Sequence, residues 1–255
     1  MNVLMAIGER DFDPTEVAIP WKVLSNAGVQ VHFATTGGGV GKADPRMLSG
    51  EGLGIWKRLL VARGDARDAY AHLTCSSRFQ KPQSFEDLGA MPDLTEIDGL
   101  ILPGGHAEGM IPYLESWQLQ DFIARFFASG KPVGAICHGV IAVCRARNAE
   151  TGRSVLHGRK TTALLRRQEL LAWRLTRRKL GDYYRTYPVT VQDEVMATLA
   201  DSRDFVEGPR PLFRDAPGKL HRGFTLRDGN YLSARWPGDA YKFATDFLNM
   251  LKEAP

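Results

Sequence analysis

Several functional classes are ruled out by what this chain lacks. Its 255 residues include three cysteines, Cys75, Cys137 and Cys144, and none lies in a CxxC pair. A disulfide framework and a dithiol redox motif are therefore excluded. No His, Cys or Asp grouping has zinc-ligand spacing, so no metal site is expected. The glycine-rich TTGGGVG (35–41) lacks both the P-loop lysine and the Gly-x-Gly-x-x-Gly register, and no cofactor is expected. No apolar run is long enough to cross a bilayer, and MNVLMAIGERDF has neither the basic start nor the cleavage site of a signal peptide. The expectation is a cytoplasmic protein with no membrane partner. There is no internal repeat.

Positive charge is unevenly placed. The net charge is +4, yet residues 159–185 hold nine Lys and Arg against Glu169 and Asp182, a local +7 that leaves about −3 (4 − 7) for the rest. No nucleic-acid motif accompanies the basic segment, so it reads as a solvated helix face or an oligomer contact rather than a nucleic-acid site.

The chain opens as β-α-β. VLMAIG (3–8) reads as a buried strand, 14–28 as a helix ending at Gly28 with Pro20 as a kink or late start, and VQVHFATT (29–36) as a strand. Residues 41–96 interrupt this rhythm as an inserted segment, helical around GIWKRLLVARGDARDAYAHL and loop through KPQSFEDLGAMPDL. Strands follow at 97–105 and 132–137, with helices at 108–115, 117–128 and 139–147. GRKTTALL (158–165) is a candidate strand, 166–186 a basic helix or two, and 188–223 mostly irregular. FTLRDGNYLSAR (224–235) signals a hairpin and 238–251 a closing helix. This pattern predicts one α/β domain over 1–255, a mostly parallel sheet between helix layers.

One stretch carries chemistry. GAICHGVIAV (134–143) puts Cys137 where a buried strand turns into a helix. Such an elbow holds a side chain in a strained backbone at the carboxyl ends of the strands, where open α/β sheets bind ligands. The N-terminal end of the following helix is expected to favour thiolate. The His138 N–H and the Gly104-Gly105 turn of ILPGGH offer two donors for an oxyanion.

GAICHG, IDGLILPGGH and EVAIPWKVLSNAGVQVHFAT together resemble the ThiJ/PfpI family of the class I glutamine amidotransferase-like superfamily. The resemblance covers roughly 1–40, 97–147 and 228–251, with 148–227 divergent. It implies a flavodoxin-like fold and a homodimer or larger homo-oligomer, with Cys137 as nucleophile. It also implies that Glu16 hydrogen-bonds the sulfur, that His138 is the adjacent base, and that His106 lines the pocket. Asp239 in ARWPGDA would close one side. The acid or second histidine that relatives supply after the cysteine helix has no match around TTALLRRQ, and His157 and Glu169 do not align cleanly.

The implied activity is cysteine-dependent chemistry on a small carbonyl or amide substrate. Its concrete form is glyoxalase III-like conversion of a 2-oxoaldehyde to a 2-hydroxy acid. Amide or peptide hydrolysis through an acyl-enzyme, and a non-catalytic redox-sensing or chaperone-like stress role, are the alternatives. No synthase domain or second His-x-Glu pattern supports glutamine amidotransferase activity.

Overall fold

A computed structural model describes residues 1–91 and 93–254. The strands are β1 (Asn2–Ala6), β2 (Arg10–Phe12), β3 (Gln30–Thr35), β4 (Lys42–Ala43), β5 (Gln83–Ser84), β6 (Gly99–Leu102), β7 (Val133–Ile136), β8 (Thr225–Asp228) and β9 (Tyr231–Ala234). Seven form one sheet in the order β5-β3-β1-β6-β7-β9-β8, parallel except for the antiparallel β8–β9 hairpin at one edge. The fold is therefore the mostly parallel α/β sheet that the pattern predicts, in the flavodoxin-like arrangement that the resemblance implies. Strands β6 and β7 are buried along their whole length because helices cover both faces.

The first helix, α1 (Pro14–Asn26), starts where Asp13 caps it. Asp13 Oδ1 accepts the N–H groups of Thr15 (2.7 Å) and Glu16 (3.2 Å), and Pro14 occupies the first turn, where a missing N–H costs nothing. Pro20 neither kinks the reading into two helices nor delays the start. The segment stays helical because its buried face is clamped against β3 and two further helices, α4 (Gly64–Thr74) and α11 (Ala240–Glu253). The opposite layer contains α5 (Phe85–Ala90), α7 (Trp117–Ala128), α8 (Gly139–Arg145) and α10 (Val191–Thr198).

Three readings of the sequence need correction. KPQSFEDLGAMPDL is not loop throughout: Gln83–Ser84 extends the main sheet beside β3, and a reciprocal Ser84–Asp87 capping box starts α5. Pro92, in the same stretch, lies outside the described residues. The end of the insertion is thus part of the sheet layer, while its α2 (Pro45–Ser49) and α3 (Lys57–Leu60) lie apart from it. GRKTTALL forms no strand of the sheet; Thr161 makes only an isolated parallel bridge to Phe205. It is tied to β9 instead by Thr162 N–H on Ser233 Oγ (3.0 Å) and by a contact between Thr161 and Tyr231 hydroxyls. Within 188–223, Thr190 caps α10 through its side chain, so this stretch is only partly irregular.

The basic segment becomes one 15-residue helix, α9 (Arg166–Leu180). It packs with the insertion in a second apolar cluster of Met47, Leu53 and Tyr184, joined by Leu60, Ala172 and Trp173. Its arginines are distributed around the other faces, and among the described residues no helix is long and apolar enough to cross a membrane.

Asp239 lies under the last strand-to-helix turn. Its carboxylate accepts two N–H groups of Arg235 (2.9 Å each) and the Phe224 N–H (2.9 Å), and both charged side chains have no solvent exposure. Arg235 also donates to the Glu207 and Pro209 carbonyls, tying the long 199–223 connection to the sheet. Breaking a buried pair leaves a stranded charge. Asp239→Ala is expected to lower unfolding free energy by about 3–5 kcal/mol, read as a leftward shift of the urea midpoint. A loss within about 0.5 kcal/mol, the range of ordinary surface substitutions, would mean the pair does not hold this turn.

Candidate active site

The sheet order reverses at β1, so the crevice between the carboxyl ends of β1 and β6 is the expected ligand site of such a fold. Three chains of residues reach it: Glu16 after β1, Gly104–His106 after β6, and Cys137–His138 after β7. Cys137 has φ +58°, one of two non-glycine residues among those described with positive φ. This left-handed backbone turns the chain sharply into α8. Gly139 makes the turn achievable: a Cβ there would stand 2.0 Å from the Leu102 carbonyl oxygen. Gly104 is equally constrained, its virtual Cβ lying 2.7 Å from the His138 nitrogen and 2.9 Å from Glu16 Oε2.

Cys137 sits at the floor of a cavity of about 210 Å³ and is 6% exposed. Around the sulfur, His138 Nδ1 is 3.4 Å away, and Glu16 is completely buried. Glu16 Oε2 accepts the Gly104 N–H at 2.8 Å. Its Oε1 is buried without a hydrogen-bond partner, so the expected Glu16 bond to the sulfur is not formed in this geometry, although the carboxyl stands near enough to bear on the Cys137 thiol. Burial, then the negative charge of Asp13, raises the Glu16 carboxyl well above the ordinary carboxylate range. A protonated carboxyl has the donor that a sulfur anion needs.

Two expectations change. The Gly104 N–H is occupied by Glu16, so it is not the second oxyanion donor; the N–H groups of Gly105 and His138 are the ones not taken by a backbone or side-chain oxygen. The resting thiol is not depressed by the helix end. Burial, followed by the charges of Glu16 and Asp13, pushes the Cys137 thiol up, with the His138 N–H acting in the opposite sense. The carboxyl proton on Glu16 removes the larger of those two charges. Deprotonation of sulfur is then work for a neighbouring base. Burial holds His138 down at about 3, with His106 adding to the effect, so its imidazole is neutral at ordinary pH.

His106 lines the cavity, as expected. It stacks on Tyr184 at 4.1 Å between ring centroids and meets Tyr183 edge-on at 4.8 Å. Asp239 does not line it; Trp236 and Pro237 of the same turn do. His157 is remote, paired with Arg153 on the surface. Glu169 reaches the cavity wall, yet its oxygens are held by the Val191 N–H (3.0 Å) and by Arg185 (3.5 Å). Thr161 and Thr162 face β9 rather than the sulfur.

The rest of the wall went unread in the sequence. Met47, Leu59 and Leu60 come from the insertion, Leu171, Ala172 and Leu175 from α9, and Leu212 and Arg214 from the long connection. Arg214 is the one Lys or Arg lining the cavity among the described residues; it donates to the Leu59 and Leu60 carbonyls and faces Asp13. Asp13 carried a readable signal, an Asp-Pro pair at a helix start. Arg214 and the α9 leucines carried none, because their positions depend on how separate segments close over the sheet.

Known proteins resemble this chain at several levels. It is 28% identical over 152 residues to an uncharacterized Schizosaccharomyces pombe protein, covering 57% of this chain and 55% of that one. It is 26% identical over 166 residues to protein DJ-1 homolog D of Arabidopsis thaliana, of which the match covers 34%. The chain thus spans about half or less of these curated relatives. A deglycase of Pyrococcus abyssi is 27% identical over 169 residues, 66% of this chain and 69% of that protein. Among solved structures, glyoxalase III of Candida albicans superposes with a TM-score of 0.67 at 18% identity, covering 98% of this chain and 97% of that one. At that identity the likeness is one of fold. The model of the ThiJ/PfpI family-like proteins matches residues 7–209, and the chain belongs to the ThiJ/PfpI family.

Proposed function

We propose that this protein is a cysteine-dependent enzyme that converts 2-oxoaldehydes to 2-hydroxy acids. The observation that carries the reading is the grouping of a strained Cys137, a neutral His138 3.4 Å from its sulfur, and a buried Glu16 carboxyl at the floor of one cavity. The chemistry needs a nucleophile for the aldehyde carbon, a base for the thiol proton and an acid for the oxygen that becomes negative.

In this scheme His138 Nδ1 takes the thiol proton as sulfur adds to the aldehyde carbon, and Glu16 protonates the resulting alkoxide to give a hemithioacetal. The Glu16 carboxylate then removes the hydrogen from that carbon. Return of a proton to the neighbouring carbon, with the imidazolium and the hydroxyl exchanging theirs, produces a 2-hydroxy thioester. Water attacks the thioester, the sulfur leaves and recovers its proton from His138, and the acid departs. The net change is addition of one water, with no external oxidant. The names of relatives, a deglycase and a glyoxalase III, are compatible with this class of substrate.

The cavity wall adds a preference. Met47, Leu60, Leu164, Leu175 and Trp236 line a volume that would hold about seven waters at 30 Å³ each. A 2-oxoaldehyde with an aromatic or alkyl body fits that surface better than one with a single methyl. The purified protein is expected to turn over phenylglyoxal with a higher kcat/KM than methylglyoxal. Cys137→Ala should abolish turnover, and His138→Ala and Glu16→Ala should each lower it by about 10²–10⁴-fold. Hydrolysis of amide substrates without 2-oxoaldehyde turnover would favour the acyl-enzyme alternative. Peroxide oxidation of Cys137 with neither activity would favour redox sensing.

The pH dependence has a defined sign. The His138 pKa of about 3 leaves the base neutral and competent from mildly acidic pH upward, so no acid limb near the free-histidine value of about 6.5 is expected. Glu16, raised by burial, keeps its proton to higher pH than an ordinary carboxyl and loses it as pH climbs through that raised value. The profile of kcat/KM should show no limb near the free-histidine value and should fall toward alkaline pH as Glu16 is deprotonated. In Glu16→Gln the level should drop and the alkaline fall should vanish. An acid limb centred near pH 6.5 would contradict this assignment of the base.

A further inference from the structure

His138 lacks the carboxylate or second imidazole that would ordinarily orient a catalytic base, and a hydroxyl occupies that place. Thr186 lies in the turn after α9, far from the motifs around Cys137. Its Oγ1 is 2.6 Å from the His106 carbonyl oxygen and 3.1 Å from His138 Nε2. The segment that carries it is pinned on either side: before Thr186, Tyr183 hydrogen-bonds Asp44 and Tyr184 lies flat against the His106 ring, and after it the Tyr187 hydroxyl donates to Glu115 (3.1 Å).

These two contacts decide where the protons are. A carbonyl oxygen only accepts, and a threonine hydroxyl has one hydrogen. That hydrogen must therefore point at the His106 carbonyl, and Thr186 must accept from His138 through an Nε2–H. A neutral imidazole carries one N–H, so Nδ1 is left with its lone pair, and Nδ1 is the atom 3.4 Å from the Cys137 sulfur. The opposite tautomer would require Thr186 to donate to Nε2. Two oxygens would then face each other at 2.6 Å with no hydrogen between them.

We propose that Thr186 is the positioning residue of the site, locking His138 in the Nε2–H tautomer so that Nδ1 is the base for the Cys137 thiol. The proposal rests on Cys137 and His138 being the working pair, and it assigns the missing third member to the segment that follows α9. An uncharged partner has a consequence of its own. A hydroxyl fixes the ring without the negative charge that would stabilise an imidazolium, so His138 holds the proton only in passing and Cys137 rests as a thiol.

The test needs no substrate. Side-chain ¹⁵N NMR of the full chain, with His138 assigned by comparison with His138→Gln, reads the tautomer directly, and iodoacetamide alkylation of Cys137 at fixed pH reads the base. Wild type should show Nε2–H. Thr186→Val should populate the Nδ1–H form and slow alkylation by about tenfold, the population ratio that one hydrogen bond commonly controls. Thr186→Ser should restore both. An Nδ1–H tautomer in wild type overturns the proposal, and so does a folded Thr186→Val with unchanged tautomer and alkylation. If the valine variant does not fold, the wild-type tautomer and the serine variant decide. Failure to turn over any 2-oxoaldehyde would sink the functional reading while leaving this result intact.

Discussion

The left-handed backbone at Cys137 is the constraint on which the site depends. A non-glycine residue in that conformation costs of order 1–3 kcal/mol and persists only where its surroundings over-determine it. Here the Cys137 N–H is bonded to the Ala234 carbonyl, while α8 presses Gly139 against the end of β6. Any larger residue at 139 would push the helix off the Leu102 carbonyl and release the elbow. The same close approach brings Gly104, Glu16 and His138 within a few ångströms of the sulfur. Packing of backbone on backbone thus fixes the reactive geometry before any side chain is chosen.

Burial then sets the chemistry of those side chains. Removing Glu16 from water favours its neutral form, and removing His138 favours its neutral form too. One group keeps a proton it would ordinarily lose, and the other lacks one it would ordinarily share. A carboxyl biased toward its protonated form and a neutral imidazole therefore stand beside one thiol. The contrast with Arg235 and Asp239 is instructive, because that equally buried pair is joined side chain to side chain by mutual hydrogen bonds. It acts as a structural tie for the connection that supplies Arg214 and Leu212 to the cavity.

The inserted segment and the basic helix have a shared purpose that neither displays alone. Each contributes a leucine-rich face to the cavity wall, and they meet in the cluster of Met47, Leu53 and Tyr184. The arginines of α9 occupy the remaining faces. A helix with a strongly positive composition is here a roof over an apolar space. The turn after it carries Thr186 to His138, so the roof and that imidazole are joined through one short segment.

The parallel strands and the cysteine elbow were legible in the sequence because each is written locally: apolar runs at VLMAIG and PVGAIC, and small residues around Cys137. The hairpin at Asp228–Tyr231 was equally plain, since Gly229 supplies the positive φ its turn requires. GRKTTALL has a strand-like composition, but its Thr161 pairs only in an isolated bridge with Phe205, a partner 44 residues on that composition cannot reveal. Asp239 looked like a pocket residue because the sequence cannot reveal that its partner, Arg235, points inward with it. Sequence alone determined the parallel sheet and the strand-to-helix elbow at Cys137–His138, since those depend on contacts between residues close in the chain or on a recurrent turn, while only the resemblance to relatives singled out the distant Glu16. Tertiary structure decided the cavity wall, the occupied Gly104 N–H and the threonine behind His138, because each arises where segments distant in the chain converge and burial changes what their polar groups can do.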